Sequence, residues 1–144
     1  MKAVRVVGPG RAGSALATAL HRTGRWRVVE LLGRGDDVGG AAARVDLLVL
    51  AVPDAEVPHV AAAVGPDPEG SAVVAHLAGS LGLAALAPHT RRAVLHPLAS
   101  LPGDAALGAE RLAAAWWGLS AGGDPLAEEV VADLCGHAVV VDDA

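Results

Sequence analysis

The sequence predicts an α/β fold: a doubly wound, mainly parallel sheet in a three-layer α/β/α arrangement. Three observations predict it. Short β-branched runs alternate with stretches of helical period along the 144 residues. The first run ends in a glycine-rich turn, Gly8-Pro9-Gly10-Arg11-Ala12-Gly13. The composition is 53% hydrophobic with no Phe, no Tyr and three Trp. Such a core is Val, Leu and Ala around closely packed backbones, which suits layered α/β folds better than aromatic-rich β-sandwiches.

Each element follows in order. Residues 3–7 are β-branched and closed by glycine, so they read as a strand. Over 11–23 the period changes. Gly13, Leu16, Ala17 and Leu20 stand at i, i+3, i+4 and i+7 on one helix face, and Gly24 stops the helix. Residues 27–32 read as a second strand, broken by Gly33-Arg34-Gly35-Asp36, and residues 39–44 as one or two helical turns. The nearly unbroken apolar run 46–52 suits a strand buried on both faces of a parallel sheet. Pro53-Asp54 closes it, with Asp54 read as the cap of a helix over 56–64 that tolerates Pro58 in its first turn.

A strand over 72–76, a helix over 80–87 with Ser80 as its candidate cap, and a strand over 93–96 closed by Pro97 come next. Residues 112–119 read either as a strand carrying Trp116 and Trp117 or as a helix continuing from Gly108. In a strand the two indoles point to opposite faces, one into the core and one outward. Residues 125–134 read as a helix capped by Asp124 with Pro125 at its first position, and 139–141 as a last strand.

The formal net charge of −5 argues against nucleic acid as a partner, because phosphate binding needs a basic footprint. The lone Cys135 excludes an intrachain disulfide and a cysteine metal cluster. The six histidines show no ligand spacing, so no metal is expected. No apolar run approaches the roughly 18 residues of a membrane span, and the stretch 3–7 is too short for a signal peptide. The cytoplasm is the expected compartment, with no membrane partner.

The glycine turn carries the chemistry. It follows a strand and opens a helix, the context the G-x-G-x-x-G pattern requires. Gly8 permits the tight turn, Gly10 lets a pyrophosphate approach the backbone, and Gly13 lets helix and strand pack closely. Arg11 and Ala12 begin the helix whose N–H groups face the phosphates. At the end of the second strand Arg34 suits the 2′-phosphate of NADP, with NAD the alternative served by Asp36 or Asp37. Val52 and Pro53 lie where backbone meets the cofactor ribose or nicotinamide. His76, Ser80, His96 and Ser100 are the chemical candidates near the same edge. A histidine there can exchange a proton as hydride moves, and a serine hydroxyl can hold a substrate carbonyl. Each can equally make only local hydrogen bonds at a strand end.

The succession Gly8–Gly13, Gly33-Arg34, Ala51-Val52-Pro53-Asp54, His76-Leu77-Ala78-Gly79-Ser80 and Leu95-His96-Pro97-Leu98 resembles a family of NADP-dependent oxidoreductases across essentially the whole chain. That family has a Rossmann-like domain followed by a helical domain, and is related to pyrroline-5-carboxylate reductase, prephenate dehydrogenase and 6-phosphogluconate dehydrogenase. The resemblance implies an NADP(H)-binding domain acting on a small carbonyl or imine metabolite, with Ser80 and His96 as catalytic residues. It also implies a homodimer formed through the helical domain. The chain departs from the family at Ala78, where a serine is usual. The expected organisation is one NAD(P)-binding domain over 1–144 without the helical domain. The loop 33–46 is short, so the third strand of the full pattern is expected to be missing. The rival reading is a non-catalytic dinucleotide-binding or regulatory module, and a third is a degenerate domain kept for oligomerisation.

Overall fold

The computed structural model describes residues 1–142. Five parallel strands form the main sheet: β1 (Lys2–Val7), β2 (Trp26–Leu32), β3 (Leu47–Leu50), β4 (Val73–His76) and β5 (Arg92–Val94), in the order β2-β1-β3-β4-β5. Alternate side chains serve opposite faces. On β3, Leu47 and Val49 enter one core, while Leu48 and Leu50 enter the other. That is why the run is apolar throughout. The first core is covered by α1 (Arg11–Arg22), α3 (Ala105–Leu112) and α4 (Leu126–Asp133). The second is covered by α2 (Val57–Ala63) and a 3-10 turn over Leu83–Leu86. The three-layer α/β/α reading holds. The expected face of α1, with Gly13, Leu16, Ala17 and Leu20, is buried as a unit.

Small residues bring the helices close. A Cβ added at Gly108 of α3 would stand 2.8 Å from the Ala15 Cβ of α1. Burying a side chain such as Leu16 or Leu20 stabilises by about 1.5–3 kcal/mol, and close backbone approach lets a Leu/Val/Ala core reach full density without Phe or Tyr. No strand lies outside β2 among the described residues, in line with the short 33–46 loop. No helix among them is long and apolar enough to cross a membrane.

Four local expectations change. Residues 39–44 form hydrogen-bonded turns, with Ala41 N–H to Val38 O at 3.0 Å and Ala43 N–H to Gly40 O at 3.1 Å. The Arg5 guanidinium takes the Ala41 and Ala43 carbonyls that a continuing helix would need. The helix expected over 80–87 shrinks to the turn Leu83–Leu86, with Gly82 and not Ser80 at its start. Asp54 is no cap: it is the first residue of a 3-10 turn, Asp54–Glu56, which follows Pro53 and has no side-chain cap. The strand 93–96 divides: after β5, Leu95 N–H bonds to His76 O at 2.9 Å, and His96–Pro97 leaves for a second sheet.

That second sheet was not expected. It joins β6 (His96–Pro97), β7 (Trp116–Ser120) and β8 (His137–Val141), with β6 antiparallel and β8 parallel to β7. The open alternatives over 112–119 both contribute, since α3 ends at Leu112 and Ala114, at φ 60°, turns the chain into β7. The indoles separate as a strand requires. Trp117 is buried, while Trp116 is 53% exposed and stacks on His137 at 4.8 Å.

Candidate functional site

The glycine turn ties three strand ends together. Gly8 N–H donates to Leu32 O of β2 at 2.8 Å, and Ala51 N–H donates to Val7 O at 2.7 Å. Gly8 has φ +103°, and a Cβ there would collide with the Ala51 carbonyl. A Cβ on Gly13 would collide with the Gly8 carbonyl. Both glycines are therefore required by the fold itself. Gly10 differs, because a Cβ there meets nothing within 4 Å. Its open side lies at the start of α1, where no side chain caps the first-turn N–H groups. Unpaired first-turn N–H groups and the positive end of a helix dipole attract anions.

A cleft of about 420 Å³ opens beside the turn. It brings together Gly8, Gly10, Arg34, Val52 and Pro53 from the sequence-derived candidates. Arg11, Ala12 and Gly13 stand behind it in the first turn of α1. Arg34 reaches across the cleft to Glu56, Nη2 to Oε2 at 3.7 Å, with its side chain 87% exposed. Each of the nearby acids already accepts one hydrogen bond. Asp36 accepts Gly33 N–H at 2.7 Å, Asp37 accepts Gly39 N–H at 2.8 Å, and Glu30 pairs with Arg5 at 2.9 Å.

Ser80 and His96 share a second cleft of about 340 Å³, walled by Val94, Leu119 and Ser120. The turns after β3 and β4 meet between the two clefts, where Ser80 Oγ donates to Asp54 Oδ2 at 2.6 Å. The His96 ring lies over Gly79, so close that a Cβ there would stand 2.5 Å from Nε2. His96 Nδ1 lies 3.1 Å from Leu77 O. A carbonyl only accepts, so Nδ1 carries the proton and Nε2 holds the lone pair of the neutral ring.

The remaining candidates have structural partners. His76 is fully buried, with Nδ1 accepting Ala78 N–H and Nε2 on Gly82 O, both at 3.0 Å. Ser100 offers its carbonyl to Arg111 and lines neither cleft. Sequence reasoning missed Glu56 and His59, which line the first cleft with Val60 and Ala63. The signal was present, since these four stand at i, i+3, i+4 and i+7. Among the described residues no group of three or more His, Cys, Asp or Glu could hold a metal ion.

A Rossmann-like domain model matches residues 35–102, a segment holding Pro53, Ser80 and His96 but not the glycine turn. A search of curated proteins finds no match. Among solved structures, a Bacteroides fragilis protein described as an NADP oxidoreductase superposes with TM-score 0.74 at 15% identity, over 98% of this chain and 61% of that one. Prephenate dehydrogenase from Aquifex aeolicus gives 0.72 at 16% identity, over 99% and 62%. Plasmodium falciparum pyrroline carboxylate reductase with NADP bound gives 0.68 at 15%, over 97% and 57%. The chain thus spans about three-fifths of the length of these structures, and at such identities the likeness is one of fold. Sheet order, glycine turn, domain match and structural neighbours agree that the chain carries a Rossmann-like domain.

Proposed function

We propose that this chain is the NAD(P)-binding domain of an oxidoreductase that moves hydride between NADP(H) and a small carbonyl or imine metabolite. The observation that carries this reading is the turn Gly8–Gly13, whose one glycine free of steric necessity, Gly10, opens onto uncapped helix N–H groups beside the first cleft. The Rossmann-like neighbours described as NADP oxidoreductase and as NADP-bound pyrroline carboxylate reductase support it. The same reading assigns the domain to the cytoplasm, with a small-molecule substrate and a homodimeric assembly.

The residues present fit the cofactor. The N–H groups of Arg11, Ala12 and Gly13 take the pyrophosphate, Val52 and Pro53 back the ribose, and Arg34 takes the 2′-phosphate. When bound, the nicotinamide supplies or accepts the hydride. His96 Nε2 exchanges the proton that accompanies it, while Leu77 O holds the ring through Nδ1. Ser80 donates its O–H to Asp54, so its Oγ presents lone pairs to the second cleft. It therefore accepts a hydrogen bond from a substrate hydroxyl, amine or iminium, and does not donate to a carbonyl.

Thermal unfolding with saturating NADPH, NADH or neither tests the reading. At a concentration about 100 times Kd, a ligand stabilises by about 2.7 kcal/mol, a clear rise in Tm. NADPH is expected to raise Tm more than NADH. No rise with either dinucleotide would defeat the proposal.

A further inference from the structure

We infer that Glu56 is a specificity-determining acid for the adenine-side ribose of the first cleft, working against Arg34 from the opposite wall. The inference rests on the dinucleotide reading above and adds a residue and a direction to it. Dinucleotide sites that hold a free 2′-hydroxyl commonly offer it a carboxylate at the end of the second strand. Here each acid near that end already gives one oxygen to a neighbour, Asp36 Oδ2 to Gly33 N–H, Asp37 Oδ1 to Gly39 N–H and Glu30 Oε1 to Arg5, and of the three only Asp36 lines the cleft. Glu56 stands on the facing wall, at the end of the 3-10 turn after β3, and lines the same cleft as Arg34.

The 3.7 Å separation of Arg34 and Glu56 is a charge contact too long for a hydrogen bond. Both groups keep their hydrogen-bonding capacity while their charges offset each other. A cofactor with a free 2′-hydroxyl leaves the pair intact and donates to the Glu56 carboxylate. A 2′-phosphate draws Arg34 to itself and leaves Glu56 as a like charge beside the phosphate. The pair therefore reads both cofactors, and Glu56 holds down the preference for NADPH that Arg34 alone would create.

The test is titration of the full chain and its Glu56→Gln and Arg34→Ala variants with NADPH and NADH, followed by calorimetry or nicotinamide fluorescence. In solvent-exposed geometry the effects are modest: Glu56→Gln is expected to tighten NADPH about threefold and weaken NADH about threefold. The preference thus shifts about tenfold toward NADPH, and Arg34→Ala shifts it the other way. The fragments 2′,5′-ADP and 5′-AMP should split in the same sense, which confines the effect to the ribose end. Equal changes in both Kd values, or none, overturn the role of Glu56 while leaving dinucleotide binding intact. Failure of the unmutated chain to bind either dinucleotide overturns the underlying reading, and the inference with it. Unliganded Tm is the control for folding, expected within about 2 °C because the charge pair is exposed.

Discussion

Ser80 Oγ donates a hydrogen bond to Asp54 Oδ2 at 2.6 Å, joining the turn after β3 to the turn after β4 at the boundary between the two clefts. The bond is short because its acceptor is charged. It ties the turn that lines the first cleft through Pro53 to the turn that lines the second through Ser80, and it decides which way the serine hydroxyl points. Ser80→Ala removes it at an exposed site, so the expected loss is about 1 kcal/mol, or roughly 3 °C in Tm, by thermal unfolding. NADPH affinity should stay within about twofold of the unmutated chain. A larger loss of affinity would mean that Ser80 touches the cofactor.

The glycine turn permits a cleaner dissection. Gly13→Ala drives a Cβ into the Gly8 carbonyl, and neither backbone can yield without moving α1 off the sheet. The expected cost is more than about 2 kcal/mol. Gly10→Ala meets nothing within 4 Å, so Tm should change by less than about 2 °C. Its methyl occupies the approach to the first-turn N–H groups, and NADPH affinity should fall at least about tenfold. Stability and affinity measured side by side on the two variants separate folding from binding within one turn. An unchanged Kd in Gly10→Ala would show that no phosphate sits there.

How legible was this in the sequence? Features set by local chemistry were plain. The α1 face, the buried β3 run, the turn glycines and the opposed Trp116 and Trp117 each follow from period or from a single φ requirement. The illegible features were pairings between segments distant in sequence. His96 leaves the main sheet because Gly118 and Trp117 offer it an antiparallel partner, and two residues carry too little pattern to announce a strand. Asp54 looked like a cap because a carboxylate before a helix usually is one. Its partner lies 26 residues away on another turn. Glu56 was overlooked because it opens the expected helix 56–64 as an ordinary surface acid, although the helical period placed it on the cleft face.

His96 bears the catalytic part of the reading. His96→Gln keeps a polar side chain but cannot cycle a proton, so turnover with a carbonyl or imine substrate and NADPH should fall by about 10²- to 10⁴-fold. NADPH Kd should hold. Gly79→Ala supplies a second, independent probe. The added Cβ would stand 2.5–2.8 Å from Nε2, Cδ2 and Cε1, so the ring must leave its bond to Leu77 O. Loss of turnover in both variants with cofactor binding intact supports proton transfer at Nε2. Normal turnover in His96→Gln removes His96 from the chemistry.

Acid should loosen the seam between β5 and α4. Asp124 accepts Leu126 N–H at the start of α4 and Arg91 Nε, both at 3.0 Å. Burial pushes its carboxyl up, but the Leu126 bond and the Arg91 guanidinium outweigh burial and hold it below the usual 3.8. The folded form is then the stronger acid, so the unfolded chain binds the proton more readily. Stability from this group is fully present above about pH 4 and is lost as pH falls through the folded value. Asp67 adds to the same limb: the Ser71 N–H and further loop donors lower its carboxyl, outweighing burial. Asp124→Asn should cost roughly 1 kcal/mol at pH 7, as loss of a charged cap does, and should flatten the fall in stability between pH 4 and pH 3. Urea unfolding at pH 7, 4 and 3 measures both. An acid limb equally steep in the variant would place the proton uptake on other carboxylates and leave Asp124 a cap alone.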